Sequence, residues 1–424
     1  MDIHVVRAGE TVSSVAARYG VPAGILAGVN GVAPDAPLAV GQTLVVRHPR
    51  ELHTVASGES VYSIALRYGL SVRTLYQNNP ALGGRSALYP GQTLVIAYDD
   101  TPTRTLAVNA YSYPFIRGGL LDAALPYLTY LTPFTYGINA DGTLLPLADE
   151  WLLAAAGQYR TAALMHLSTL TEEGRFDNAR STLILEDADA QDALVQSILE
   201  TVQARHYFGL DVDFEYVLPE QREAYAAFIT RLREALNPLG CPVIVALAPK
   251  TSAAQRGLLY EAHDYALLGA AANAVFLMTY EWGYTYGPPM AVAPLGQVRA
   301  VLDYALTAVA PEKIFMGIPL YGYDWPLPYR QGETRAESLS NEEAVRRAIR
   351  YGAEIQFDES AQAPWYRYTA PDGTGHEVWF EDARSLSAKL RLIAEYGFLG
   401  SGIWNLMRPF SQIWLLADSL YDIV

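Results

Sequence analysis

The chain contains one cysteine, Cys241, so no intrachain disulfide can form, and nothing in its cysteine usage points to an oxidising compartment. Its seven histidines, His4, His48, His53, His166, His206, His263 and His376, show neither an HExxH pattern nor Cys/His spacing. No metal site is therefore expected, and no metal or organic cofactor. Charge is sparse, at 18% of residues, and basic charge sparser still: 30 Lys and Arg stand against 45 Asp and Glu, a formal net charge of −15. Phosphate binding needs clustered Lys and Arg, so nucleic acid is not an expected partner. No apolar run is long enough to span a membrane, and MDIHVVRAGETV lacks a positive region leading into an apolar stretch. The expectation is a chain without a secretory signal, made in the cytoplasm, with no membrane partner.

Apolar and aromatic side chains, by contrast, are plentiful. Hydrophobic residues make up 51% of 424 positions, enough for more than one core, and there are 29 tyrosines. A tyrosine or tryptophan ring can stack on a pyranose while its polar tip hydrogen-bonds, although most such rings simply pack.

A repeat is visible at the N-terminus. HVVRAGETVSSVAARYGV (4–21) recurs as HTVASGESVYSIALRYGL (53–70), Asn30 recurs as Asn79, and VGQTLVV (40–46) recurs as PGQTLVI (90–96). Each unit reads as strand, helix, helix, strand. Gly9 turns the chain, Thr11 caps a helix with Val12, Val15 and Ala16 on one face, and Gly20 ends it. The two units resemble the LysM module and span 1–47 and 51–98. That resemblance implies binding to glycans containing N-acetylglucosamine, peptidoglycan or chitin. It places the groove between the first strand–helix loop and the end of the second helix: Gly9, Glu10, Thr11 and Asn30 in one unit, Gly58, Glu59, Ser60 and Asn79 in the other. The polar stretch AYDDTPTR (97–104) reads as a linker.

From 104 to 424, apolar runs alternate with helical patterns. The runs are LAVNAYSY (106–113), TPFTYGI (132–138), AALMHLS (162–168), FGLDVDFEYV (208–217), PVIVALAP (242–249), AVFLMTYEW (274–282), KIFMGIPLYGYDW (313–325) and SGIWNL (401–406). Eight buried strands with crossovers predict an α/β fold, a (β/α)8 TIM barrel. The competing arrangement is a doubly wound open sheet. About 326–385, with WYRYTA and HEVWFE flanking an Asp-Gly turn, reads as a small α+β insertion between strands seven and eight, at the barrel mouth.

The chemistry concentrates in FGLDVDFEY (208–216). Residues two apart in a strand share a face, so Asp211, Asp213 and Glu215 point together, about 6–7 Å apart, while Leu210, Val212 and Phe214 point away. Three inward carboxylates cannot all ionise comfortably, so at least one pKa rises, and Glu215, nearest the strand's carboxyl end, becomes a proton donor.

This segment resembles the D-G-x-D-x-D-x-E signature of glycoside hydrolase family 18, the chitinase-like enzymes, with Phe208 in place of the first aspartate. MTYEW (278–282) and GIPLYGYDW (317–325) resemble that family's sixth and seventh strands. ALAPKTSA (246–253), APEKI (310–314) and WFEDARSLSAKL (379–390) resemble its LysM-bearing branch linked to bacterial spores, which trims N-acetylglucosamine linkages in cortex peptidoglycan. The resemblance implies substrate-assisted, retaining hydrolysis. Glu215 is the acid/base, Asp213 orients the substrate's acetamido group, Asp211 tunes Asp213, and Tyr280 bonds the acetamido oxygen. Trp404 lies under the sugar, and Glu281, Trp282, Tyr321, Asp324 and Tyr111 are further substrate-binding candidates. It also implies a location at a spore or cell wall. Two alternatives stay open: a catalytically silent glycan lectin or spore-coat component, and a chitinase acting on chitin oligomers.

Overall fold

The structure, a computed structural model, describes residues 1–102, 104–171 and 173–424. In the first N-terminal unit, Asp2–Val5 pairs antiparallel with Thr43–Val46, and the helices Val12–Tyr19 and Ala23–Val29 lie between them. In the second, Pro49–Thr54 pairs with Thr93–Tyr98 around Val61–Arg67 and Val72–Asn78. Thr11 and Ser60 each accept from the backbone N–H three residues on, and Ser14 and Ser63 reciprocate, so both first helices start in a closed capping box. Each unit has its own small apolar centre, Val12, Val15, Leu26, Leu44 and Val46 in one and Val61, Ile64, Leu75, Leu94 and Ile96 in the other.

Eight parallel strands then close a barrel: β1 (Thr105–Ser112), β2 (Tyr130–Pro133), β3 (Ala162–Ser168), β4 (Gly209–Asp213), β5 (Val243–Leu247), β6 (Ala274–Leu277), β7 (Ile314–Pro319) and β8 (Gly400–Trp404). Pairing of β8 with β1 completes the ring, so the open-sheet alternative is excluded. The strands are buried and apolar because helices cover the outside. Phe214, just past the end of β4, stacks outward on Tyr225 and Phe228 of the helix Arg222–Leu236.

KIFMGIPLYGYDW is not one strand. It breaks at Leu320, and Tyr321–Leu327 leaves the barrel to join a five-stranded antiparallel sheet with Glu337–Ser340, Gln356–Asp358, Ala363–Thr369 and Gly375–Trp379. This insertion sheet begins at Tyr321 rather than 326. It ends before the barrel helix Ala383–Tyr396, to which the last residues of 326–385 belong.

The 97–104 stretch is not a free linker. Ala97 and Tyr98 belong to a strand, and Asp100 is ion-paired to Arg47 and to the N-terminal amine, while Thr103 lies outside the described residues. Both small units dock on the barrel. Gln412 donates to Asn30 Oδ1 and to the Thr43 carbonyl at 3.1 and 2.7 Å, and Arg73 and Gln77 donate to the Pro126 carbonyl, each at 2.8 Å. No single helix among the described residues is long and apolar enough to cross a membrane.

Candidate active site

β4 delivers the acids. Asp211 and Asp213 point into the barrel and are buried, and the strand ends at Asp213, so Glu215 stands in the turn just beyond it, half-buried. Tyr216 follows at φ 57°, a left-handed backbone that turns the chain sharply after the acid. Behind this turn, the Ala248 N–H donates to His263 Nδ1 at 2.8 Å. The imidazole hydrogen is therefore on Nε2, which donates to the Phe214 carbonyl at 3.0 Å. Burial pushes His263 down to about 4 and keeps it neutral. His263 thus anchors the backbone beside Glu215. No sequence motif marks it, because its partner is a main-chain carbonyl 49 residues away.

The electrostatics follow from burial. Tyr111 donates to Asp211 Oδ2 at 2.7 Å, yet burial still pushes Asp211 up to about 7. Asp213 is raised well above the usual carboxylate range by burial and then by the charges of Glu215 and Asp211. Glu215 is raised by burial and by the charge of Glu281. Oδ1 of Asp211 and Oδ1 of Asp213 are buried without a partner among the described residues. Such a set holds protons that exposed carboxyls would have lost at neutral pH.

Glu215 stands where two cavities meet. An inner pocket of about 200 Å³ runs into the barrel, with Tyr111, Phe134, His166, Asp213, Tyr280 and Trp404 in its wall. An outer groove of about 750 Å³ runs the other way past Tyr216, Tyr260, Trp282 and Tyr284. Glu215, Met278, Tyr280 and Glu281 border both. Trp404, at the end of β8, is half-buried with its ring 4.9 Å from Phe134 and 5.5 Å from Tyr111. Glu281, at φ 70°, accepts from Tyr321 and, at 3.1 Å, from Tyr323. Tyr323, two residues beyond the candidate Tyr321 on the same face of the strand, is a cleft residue that the sequence motifs do not mark.

The structure thus brings Glu215, Asp213, Asp211, Tyr280, Glu281, Trp282, Tyr321, Tyr111 and Trp404 to one cleft or directly beneath it. It does not bring Asp324. That carboxylate is 2% exposed inside the insertion, bonded to Arg347, to Tyr368 at 2.7 Å and to His376 at 2.7 Å. It is a buried charge satisfied by its own lobe, and alternation along a strand that has left the barrel no longer points at the cleft. Phe208 lies at the opposite end of β4, with its ring 5.4 Å from Tyr130, so the altered signature position stays outside the carboxylate set.

In the small units, the Asn30 and Asn79 side chains tie the end of the second helix to the return strand. Each side-chain amide donates to two carbonyls and accepts one backbone N–H, all at 2.7–2.9 Å. Glu10 and Glu59 are held by His4 and His53, each at 2.7 Å, and Thr11 and Ser60 are helix caps. Gly9 and Gly58, at φ 79° and 84°, have no atom within 4 Å of where a Cβ would lie, so these turns present bare backbone to solvent.

A closed β/α-barrel with proton-holding carboxylates stacked at the end of its fourth strand, beneath an aromatic cleft, defines a glycosidase. The chain belongs to the glycosyl hydrolases family 18: that family's model matches residues 171–408, and the LysM domain matches 4–47 and 53–97. It is 39% identical to the cortical fragment-lytic enzyme of Bacillus subtilis strain 168, over 100% of this chain and 99% of that one. It superposes on the crystal structure of the Bacillus cereus spore cortex-lytic enzyme SleL with a TM-score of 0.84 and 37% identity, covering 100% and 98% of the two chains. A chitinase from Chromobacterium violaceum aligns with 74% of this chain and 98% of its own at a TM-score of 0.69 and 27% identity.

Proposed function

We propose that the chain is a retaining N-acetylglucosaminidase of bacterial peptidoglycan, acting on spore cortex, with Glu215 as acid and then base. The observation that carries this is the place of Glu215: a carboxyl with a raised pKa at the junction of an inner pocket of about 200 Å³ and an outer groove of about 750 Å³. Protonated Glu215 gives its proton to the glycosidic oxygen as that bond breaks. The substrate's acetamido carbonyl oxygen bonds to the anomeric carbon from the opposite face, forming an oxazolinium ion. Asp213 accepts the acetamido N–H and Tyr280 donates to the acetamido oxygen. Glu215, now a carboxylate, takes a proton from water as that water opens the ring, and configuration is retained.

The full-length relatives are named for cortex lysis, which favours cortex over chitin as the substrate. The LysM units would hold the glycan through the exposed backbone turns at Gly9 and Gly58, and a protein acting on this substrate would lie at the spore or cell wall. The test is mass spectrometry of products from cortex fragments and, side by side, from chitin oligomers, with the wild type and Glu215→Gln. Release of N-acetylglucosamine-ended fragments from cortex by the wild type alone is expected. Cleavage of chitin oligomers only would replace the substrate, and equal inertness of both proteins would leave a glycan lectin.

A further inference from the structure

We propose that His166 is a positioning residue for Asp213, a neutral donor that favours the ionised form which accepts the acetamido N–H. This rests on the acetamido-assisted reading above.

His166 leaves β3 beside Asp211 of β4 and reaches the floor of the inner pocket, 1% exposed. Phe134 packs against it with ring centroids 4.6 Å apart, and Tyr111 meets it edge-on at 5.7 Å and 90°. Its Nδ1 is 2.7 Å from Thr135 Oγ1, and its Nε2 is 3.8 Å from Asp213 Oδ2. The groups facing the ring are Asp211 and Asp213 from β4, Tyr111 from β1, and the Thr135 hydroxyl, which also reaches Ser168 Oγ at 3.0 Å. Burial pushes His166 down to about 3, so the imidazole is neutral and carries a single N–H.

The partners decide where that hydrogen is useful. Tyr111 already gives its hydroxyl hydrogen to Asp211. Among the described residues Asp213 Oδ1 is buried without a partner, and His166 Nε2 faces Oδ2 across a gap slightly too long for a hydrogen bond. The single Thr135 hydroxyl hydrogen has Nδ1 at 2.7 Å and the Tyr136 carbonyl and Ser168 Oγ each at 3.0 Å; given to Nδ1, its shortest contact, it leaves the imidazole hydrogen on Nε2, aimed at Asp213. A modest turn of the Asp213 carboxyl closes the gap. A hydrogen bond to the charged form lowers a carboxyl pKa, opposing the burial and like charges that raise it. The acid therefore ionises at a lower pH than it would beside an apolar neighbour, without a cation that would compete with the substrate amide N–H for the Asp213 carboxylate.

The test is the pH profile of kcat/KM for the full-length chain on N-acetyl chito-oligosaccharides and cortex fragments. The wild type is compared with His166→Gln, His166→Asn and His166→Phe. Glutamine places its N–H₂ near the Nε2 position, whereas asparagine reaches only the Nδ1 position. The acid limb should move up by about one pH unit in the Phe and Asn variants and stay within a few tenths in the Gln variant. Thermal midpoints report folding separately, and the Gln and Asn pair carries the test if the Phe variant fails to fold. Coincident Gln and Asn profiles, or a limb moving down, would overturn the assignment. If the wild type and Glu215→Gln are equally inert on both substrates, the catalytic reading itself fails. If the wild type alone is active and the limbs coincide, only the role of His166 fails.

Discussion

The carboxylate of Glu281 raises the pKa of Glu215 from across the cleft, and two tyrosine hydroxyls, from Tyr321 and Tyr323, keep it there. Glu281 is itself raised by burial, an effect the tyrosines partly offset. The acid in this protein is thus tuned by a residue of the sixth strand's exit loop held by the first strand of the insertion. Replacing Glu281 with Gln removes the repelling charge and keeps a hydrogen-bond acceptor for the tyrosines. The pKa of Glu215 should fall, so the protonated acid is lost at lower pH. The basic limb of the kcat/KM profile should move to lower pH, and an unmoved limb would contradict the coupling.

Tyr280 is placed by a glycine. A Cβ on Gly317 would lie 2.8 Å from Tyr280 Cε1 and 2.6 Å from the Leu277 carbonyl. Neither can withdraw without shifting β6 against β7. Gly317→Ala should therefore displace the Tyr280 ring. Tyr280→Phe removes only its hydroxyl, and both variants should lose about 10- to 100-fold in kcat. Tyr280→Phe should retain the wild-type melting temperature, while Gly317→Ala should lower it. Steady-state kinetics with parallel calorimetry would separate misplacement from hydroxyl loss.

Much of this site could be read directly from the sequence. The strict alternation of Asp211, Asp213 and Glu215 survives folding because β4 is a regular strand up to Asp213. The repeats were legible because each unit closes on its own apolar centre. What was hidden depended on contacts distant in sequence. Asp324 looked cleft-facing because nothing local marks the break at Leu320. The bonds by which Asn30 and Asn79 tie a helix end to a strand are not visible in the repeat, because a side chain in that role carries the same residue type as one that binds a sugar. His166 and His263 carry no motif at all, since one faces a carboxylate on the next strand and the other a main-chain carbonyl.

Asp211 makes a stability prediction with a definite sign. Its pKa in the fold, about 7, lies above that of an unfolded aspartate. Its contribution is therefore fully present below the unfolded value and is lost as pH rises through about 7. Asparagine can still accept from Tyr111 and does not ionise. Asp211→Asn should melt above the wild type at pH 8, by an amount on the order of a few kcal/mol, and show no such advantage at pH 4. Activity should fall at every pH. A melting difference that is constant between pH 4 and 8 would argue against a neutral, buried Asp211.

The docking of the first LysM unit rests on a buried cation, and its removal tests whether the units and barrel melt together. Arg47, 6% exposed, donates to Asp100 at 2.6 Å and to Asp418 of the last barrel helix at 2.7 Å, with its guanidinium 3.9 Å over the Tyr98 ring. Burial raises Asp418, and Arg47 opposes that rise. Arg47→Met leaves two enclosed carboxylates without their shared partner, which should cost about 3–5 kcal/mol. Asp418 then has a still higher pKa in the fold, so the deficit should grow as pH rises and shrink toward pH 4. Adding Asp418→Asn to Arg47→Met should recover part of the loss, because the neutral amide needs no counter-charge. Calorimetry of the single and double variants at pH 5 and 8, with limited proteolysis between Asp99 and Arg104, checks each step. A single variant that melts like the wild type and resists cleavage there would mean that Gln412 and the Arg73 contacts hold the units to the barrel without this ion pair.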